Sequence, residues 1–361
     1  MQEQYHLTGK QMGLSSEYYT EDRRDLIVLM EYGFSIIGKS HIKKEVVCQD
    51  SHKIVKLKNG WFIAAIADGV GSAPNSHIGS KIAADTVVDF CEEYMPHDYN
   101  TISIKSMIRT AFNYALKKIY REAESSGEPV ESYDTTLTMV IYDGKRIVYG
   151  HSGDGAILGL TNYGNYIEIT TPQKGKDLIS VLPLRAGYTQ WVIDTYDEDL
   201  ASVLLLTDGM LETICPYLLK FDHKNIYTPL AMFFGDPYCF GSETDIKEIE
   251  EFLIADDEYC ADKFYSRIKK ALEKHLPDSE KAEEIYDRIK KNNHPVALMN
   301  KQQDDKSVVG LINIEAEIEN QDDDYYDEPD WMKLQELWNR KAYPHLYQEG
   351  YREETVDLGA E

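Results

Sequence analysis

The chain contains no Cys-x-x-Cys pair and no Cys/His cluster, and its five cysteines (Cys48, Cys91, Cys215, Cys239 and Cys260) are widely spread. That pattern excludes a zinc framework and a disulfide scaffold, and it fits a reducing cytosol. Long apolar runs are missing too. No stretch approaches the roughly 20 apolar residues that cross a bilayer, and Met1–Lys10 is polar, without a signal-peptide core. A soluble, cytoplasmic protein with no membrane partner is therefore expected. Basic charge is scarce: 38 Lys+Arg against 63 Asp+Glu leave a net charge of -25, which argues against nucleic acid as a partner. Part of the excess is local, because Glu315–Glu361 holds 15 acidic and 4 basic residues, a net of -11. A solvated surface accounts for such a run.

What is present is enough apolar material, 42% of 361 residues, for a substantial core. Residues 1–32 are polar and Tyr-rich up to Leu26–Met30, a patch that either begins a strand or docks an arm. A β-rich stretch follows from Phe34 to Asp68, with Lys58-Asn59-Gly60 as its turn. Apolar periodicity then predicts a helix from Asn75 or Ser76 to about Tyr94 and another over about Ile104–Ala123. Strands are predicted at Thr135–Tyr142, Arg146–His151, Ala156–Leu160, Tyr166–Thr170, Ser202–Thr207 and Ser307–Ile314. Between Met210 and Asn300 the pattern is helical, clearest at Asp245–Ile254 and Ala261–His275. This order is α+β and is best satisfied by sheets sandwiched between helices.

Four acidic motifs punctuate the strands: Gln49-Asp50, Asp68-Gly69, Asp208-Gly209 and Asp304-Asp305. Strand ends are where a rigid sheet can bring side chains to one place. Carboxylates gathered there repel unless protons or cations intervene, and all-oxygen donor sets suit hard divalent ions. The chain reads as a carboxylate-built metal enzyme.

The ordered set Gly38-Lys39-Ser40-His41, Cys48-Gln49-Asp50, Ala67-Asp68-Gly69-Val70-Gly71, Gly153-Asp154, Thr207-Asp208-Gly209 and Asp304-Asp305-Lys306-Ser307-Val308-Val309 resembles the bacterial-type PP2C (PPM) metal-dependent serine/threonine phosphatases. The resemblance spans about residues 33–314. It implies a PP2C-like β-sandwich of two antiparallel sheets flanked by helices, in four αββα layers, with two Mn²⁺ or Mg²⁺ ions at one end. Asp68 is expected to bridge both ions, with the Gly69 carbonyl on the second and Asp208 and Asp304 on the first. Asp50 is expected to act mainly through metal-bound water, and Asp154 matches a ligand of a third, weaker ion in bacterial members. Asp305 falls where many relatives carry Asn and ranks below Asp304. The chemistry the resemblance implies is hydrolysis of phosphoserine and phosphothreonine by a metal-bridging water or hydroxide, which suits a pair of ions that can clamp phosphoryl oxygens and acidify water. Gly69 and Gly71 are expected to let the backbone approach an ion or phosphate.

Several positions depart from the family. The arginine that grips the substrate phosphate in many relatives is absent from Lys43-Lys44-Glu45-Val46-Val47, leaving His41 and Lys44 as candidates for that role. Val70 stands where eukaryotic relatives place a histidine; His77 is expected on the following helix and His151 on the sheet. The Ser-Arg expected after Gly-Asp is Gly155-Ala156. Three segments follow: an arm at 1–32, the phosphatase domain at 33–314 with a flap-like helical insert at about 210–300, and an acidic tail at 315–361. The tail's short amphipathic helix, around Trp331, Leu334, Leu337 and Trp338, either docks on its own domain or binds a partner. The expected partners are a phosphorylated protein substrate and a cognate Ser/Thr kinase. A weak or inactive phosphoprotein-binding module and a small-molecule phosphohydrolase are the alternatives.

Overall fold

The structure, a computed structural model, describes residues 28–175, 180–222, 224–255, 259 and 261–347. Its strands, in chain order, are β1 (Leu29–Ile36), β2 (Ser51–Lys56), β3 (Phe62–Ala67), β4 (Leu137–Tyr142), β5 (Ile147–Ser152), β6 (Ala156–Thr161), β7 (Tyr166–Glu168), β8 (Val192–Tyr196), β9 (Leu200–Leu206) and β10 (Lys306–Asn313). They form two antiparallel five-stranded sheets, ordered β1-β10-β9-β6-β7 and β2-β3-β4-β5-β8. The helices are α1 (Lys39–Lys43), α2 (Ser76–Glu93), α3 (Thr101–Ser126), α4 (Asp208–Ile214), α5 (Thr228–Gly235), α6 (Glu243–Leu253), α7 (Asp262–His275), α8 (Ser279–Asn292), α9 (His294–Lys301), α10 (Asp323–Tyr326) and α11 (Trp331–Ala342).

The central strands are apolar on both sides because each side meets a different core. In β3, Phe62, Ala64 and Ile66 face the opposing sheet, while Ile63, Ala65 and Ala67 face α2 and α3. In β9, Val203 and Leu205 point into the sandwich, and Leu204 and Leu206 point to the helices on the other side. Alternation with period two thus sends successive side chains to two cores. Four layers, helix–sheet–sheet–helix, follow directly.

The helix pair is built as its sequence suggests. The Asn100 side chain accepts the Ile102 N–H at the start of α3, and Gly127, in the left-handed region at φ 72°, ends it. α3 runs three residues further at each end than its apolar stripe predicts. β8 is absent from the sequence-based expectation: Val192–Tyr196 is an edge strand with exposed and half-buried residues, so it carries little apolar signal.

Three boundaries change. β1 starts at Leu29, so Leu29–Tyr32 lie in the sheet and not in the arm; residues 1–27 are outside the described residues. The 210–300 segment is mainly a packed layer and not a flap. Leu230, Phe233, Phe234, Phe252, Phe264 and Leu272 form one core with Leu204 and Val308 of the sheet. Buried Lys306 of β10 donates to the Leu253 carbonyl and ties α6 to that layer. The start of the tail also belongs to the domain: Tyr326 and Leu334 are buried in the same core, and Trp331 packs edge-on against Tyr227 at 5.2 Å. Glu328, which composition alone places in a solvated run, accepts hydrogen bonds from Tyr227 Oη at 2.7 Å and Trp331 Nε1 at 2.8 Å. Among the described residues no helix is long and apolar enough to cross a membrane.

Candidate metal centre

Strand register brings the acidic motifs to one end of the sandwich. Ser51 pairs with Ala67, which sets Asp50 beside Asp68. Leu206 pairs with both Ala156 and Val308, so the residues following β9 lie between those preceding β6 and β10. Asp208, Asp154 and Asp304 therefore flank one another. Leu137 pairs with Ser152 and carries Thr135 and Thr136 to the same rim.

Backbone contacts hold this rim. The Asp68 N–H donates to Thr136 Oγ1 at 2.9 Å, and the Asp68 carbonyl accepts from the Thr136 N–H and from Thr135 Oγ1, each at 2.8 Å. Thr207 Oγ1 donates to Asp50 Oδ2 at 2.8 Å. Gly69 and Gly209 are both demanded by close packing: a Cβ on Gly69 would lie 2.7 Å from the Ser76 Cβ, and one on Gly209 would lie 2.2 Å from the Asp305 carbonyl oxygen. Gly69 thus makes room for the first turn of α2, whereas exposed Gly71 has only the Gln49 side chain at 4.0 Å.

Electrostatics show the crowding. Burial raises the Asp50 pKa well above the usual carboxylate range, reinforced by Asp305 and Asp208, against the hydrogen bond from Thr207. Burial also raises Asp68 strongly, with further contributions from the charges of Asp50, Asp208 and Asp154 and from a hydrogen bond to Asp208. Asp208 is pushed up to about 6 by burial and by Asp154, with smaller contributions from Asp304 and Glu212, and is eased by its bond to Asp68. Carboxylates crowded in this way repel one another unless protons or cations intervene. An all-oxygen donor set suits hard divalent ions. Asp50, Asp68, Asp208 and Asp304 are the residues that could hold them, while Asp154 beside them is paired with Lys174.

Asp305 behaves differently from its neighbour. It is buried, and its carboxylate accepts from the Gly38 N–H at 2.7 Å, from His41 Nδ1 at 2.8 Å and from the Gln49 N–H at 2.6 Å. Ligand atoms of His41, Asp304 and Asp305 lie within 4.8 Å of one another, yet both Asp305 oxygens are already engaged. Asp305 is a brace that joins α1, the Cys48-Gln49-Asp50 turn and β10.

The basic residues also sort themselves. His41 points its Nδ1 at Asp305 and its Nε2 at Asp304, 3.8 Å away, so its ring serves the acidic rim. Lys44 is the exposed C-cap of α1, and no hydrogen bond or ion pair joins it to the aspartates. His151 is buried on β5, bonded through Nδ1 to Thr138 Oγ1 at 2.9 Å, and burial lowers its pKa to about 4. His77 is in the first turn of α2. Two further residues reach the centre without having been singled out in the sequence. Glu212 lies one turn along α4 from Asp208, and i, i+4 spacing on a helix was the available signal. Lys174 pairs with Asp154 and had no signal, because its loop joins the site only in three dimensions.

Residues 37–249 match the protein phosphatase 2C family model, more than half of the chain. The chain belongs to the protein phosphatase 2C family. Similar solved structures include a serine/threonine phosphatase from Staphylococcus aureus, 13% identical, covering 84% of this chain and 98% of that one with a TM-score of 0.47. The S. agalactiae serine/threonine phosphatase is 16% identical, covering 79% and 99%, with a TM-score of 0.45. The catalytic domain of the serine/threonine protein phosphatase PstP, described in complex with 2 manganese ions, is 16% identical, covering 79% and 98%, with a TM-score of 0.43. No curated protein matches the chain.

Proposed function

We propose that this member of the PP2C family is a metal-dependent, cytoplasmic phosphatase acting on phosphoserine and phosphothreonine in proteins. What supports the reading is the strand register that carries Asp50, Asp68, Asp154, Asp208 and Asp304 to one end of the sandwich. Asp68 and Asp208 are the central pair for two Mn²⁺ or Mg²⁺ ions, with Asp304 at the exposed edge. When bound, such ions supply positive charge for the phosphoryl oxygens and acidify water.

The chain's own residues supply the rest. Thr207 fixes the Asp50 carboxylate so that it can orient water at the rim. Thr135 and Thr136 fix the backbone of Asp68, and Asp305 fixes the turn that presents Asp50. His151, sealed on the sheet and held neutral, is not placed to exchange protons with a substrate. A phosphorylated protein is the proposed substrate and a Ser/Thr kinase the proposed counterpart.

The test is turnover of a phosphothreonine peptide by the purified full chain. Phosphate release with Mn²⁺ that EDTA abolishes supports the reading. A phosphoprotein-binding module is the second reading, favoured by the missing arginine in Lys43-Lys44-Glu45-Val46-Val47. Calorimetric binding of the peptide without phosphate release would establish it instead. Faster turnover of nucleotide monophosphates than of the peptide would point to a small-molecule phosphohydrolase.

A further inference from the structure

Asp154 is nearly fully buried, and the cation that reaches it is a side chain of this protein. The Lys174 ammonium is paired with Asp154 Oδ2. Among the described residues, Lys174 is the only lysine or arginine in a salt bridge with an aspartate of the candidate centre.

The lysine is delivered by a backbone that is itself tied to the rim. The Gln173 N–H donates to the Gly153 carbonyl at 2.7 Å, and the Gly153 N–H donates to the Gln173 side chain at 3.2 Å. Lys174 and Val181 form an antiparallel bridge, and the Leu182 N–H donates to the Gln173 carbonyl at 3.2 Å. Further along, the Leu184 N–H donates to the Thr135 carbonyl at 2.8 Å, beside Asp68. Gly153, at φ 124°, has its Cβ direction filled by Thr136 at 2.4 Å, so the turn before Asp154 has little freedom. Lys174 is thus aimed at Asp154 from a loop anchored on both sides of the centre.

We propose that Lys174 occupies the cation position at Asp154, so that the centre takes two divalent ions and an ammonium. The inference rests on the metal-dependent reading above. An ammonium and a divalent ion cannot share one buried carboxylate without strong repulsion, since unit charges about 4 Å apart interact by several kcal/mol at protein-like dielectric. The lysine therefore sets the ion count and, through the same contact, holds its loop on the rim.

Isothermal titration of the metal-free full chain with Mn²⁺ tests this. Wild type is expected to bind two ions. Lys174→Met, which keeps the aliphatic stem, is expected to gain a third site at least about tenfold tighter than any in wild type beyond the first two. Lys174→Arg should keep the count of two. Asp154→Asn added to Lys174→Met should abolish the gain, and circular dichroism of each variant reports folding independently of metal. A Lys174→Met protein that folds and binds two ions as wild type does overturns the proposal, as does a wild type that binds three. Wild type that binds no Mn²⁺ overturns instead the reading of the centre itself.

Discussion

Asp305 Oδ2 accepts the Gln49 backbone N–H at 2.6 Å, across 256 residues of chain. This bond holds the turn before Asp50 against the start of β10, and Asp305 Oδ1 holds Gly38 in the same way at 2.7 Å. Charge-assisted bonds from a buried carboxylate to backbone N–H groups are among the stronger ones, and losing them leaves donors unpaired. Asp305→Ala is therefore expected to destabilise the fold by about 3 kcal/mol, read by urea denaturation, and to lower phosphatase activity with it.

Asp68 makes the opposite kind of variant. Its backbone bonds to Thr135 and Thr136 survive a side-chain change, and its carboxylate is destabilised by burial and by its acidic neighbours. Asp68→Asn should fold normally yet lose more than about a hundredfold in Mn²⁺-dependent turnover, since even groups that only orient a metal ligand are worth about 10–100-fold. Wild-type turnover in that variant would reject the site assignment.

The Asp208 carboxyl, raised from 3.8 to about 6 by burial and Asp154, makes the metal-free protein sensitive to pH. A raised folded-state pKa means that the native state binds more protons than the unfolded state between those values. Its stabilising contribution is complete below 3.8 and is lost as pH rises through about 6. In EDTA, Asp208→Asn should become more stable relative to wild type as pH increases across that window, by up to about 3 kcal/mol. Mn²⁺ should stabilise wild type and fail to stabilise the variant. Thermal melts at several pH values, with and without metal, check both signs.

The tail makes a structural prediction. Leu334 of α11 is 2% exposed and sits in the core that also holds Tyr227 and Tyr326. Leu334→Ala should cost about 2–5 kcal/mol, whereas Met332→Ala, at an 86% exposed position of the same helix, should change stability by less than about 0.5 kcal/mol. Equal effects of the two would mean that α11 does not dock as described.

Much of this arrangement is readable in the sequence, and the reasons are local. Apolar runs ending in Asp68 and Asp208 announce both the strands and the points where they deliver carboxylates, and the helix pair carries clear apolar stripes. β8 escapes because an exposed edge strand has little apolar patterning. The layer built by α5 to α9 reads as helical, but nothing in Met210–Asn300 says that Phe233 and Phe252 cover a sheet and do not hang over the site. Asp305 and Lys174 elude residue-by-residue reading for another reason. A brace and a resident ammonium are defined by their partners, Gln49 and Asp154, which only tertiary structure supplies.

The most direct test of the centre is anomalous diffraction from a crystal of the full chain soaked in Mn²⁺. The account predicts peaks within coordination distance of the Asp68 and Asp208 carboxylates, about 2.0–2.3 Å from their oxygens. Full density for both side chains, with no peak beside them, would contradict it.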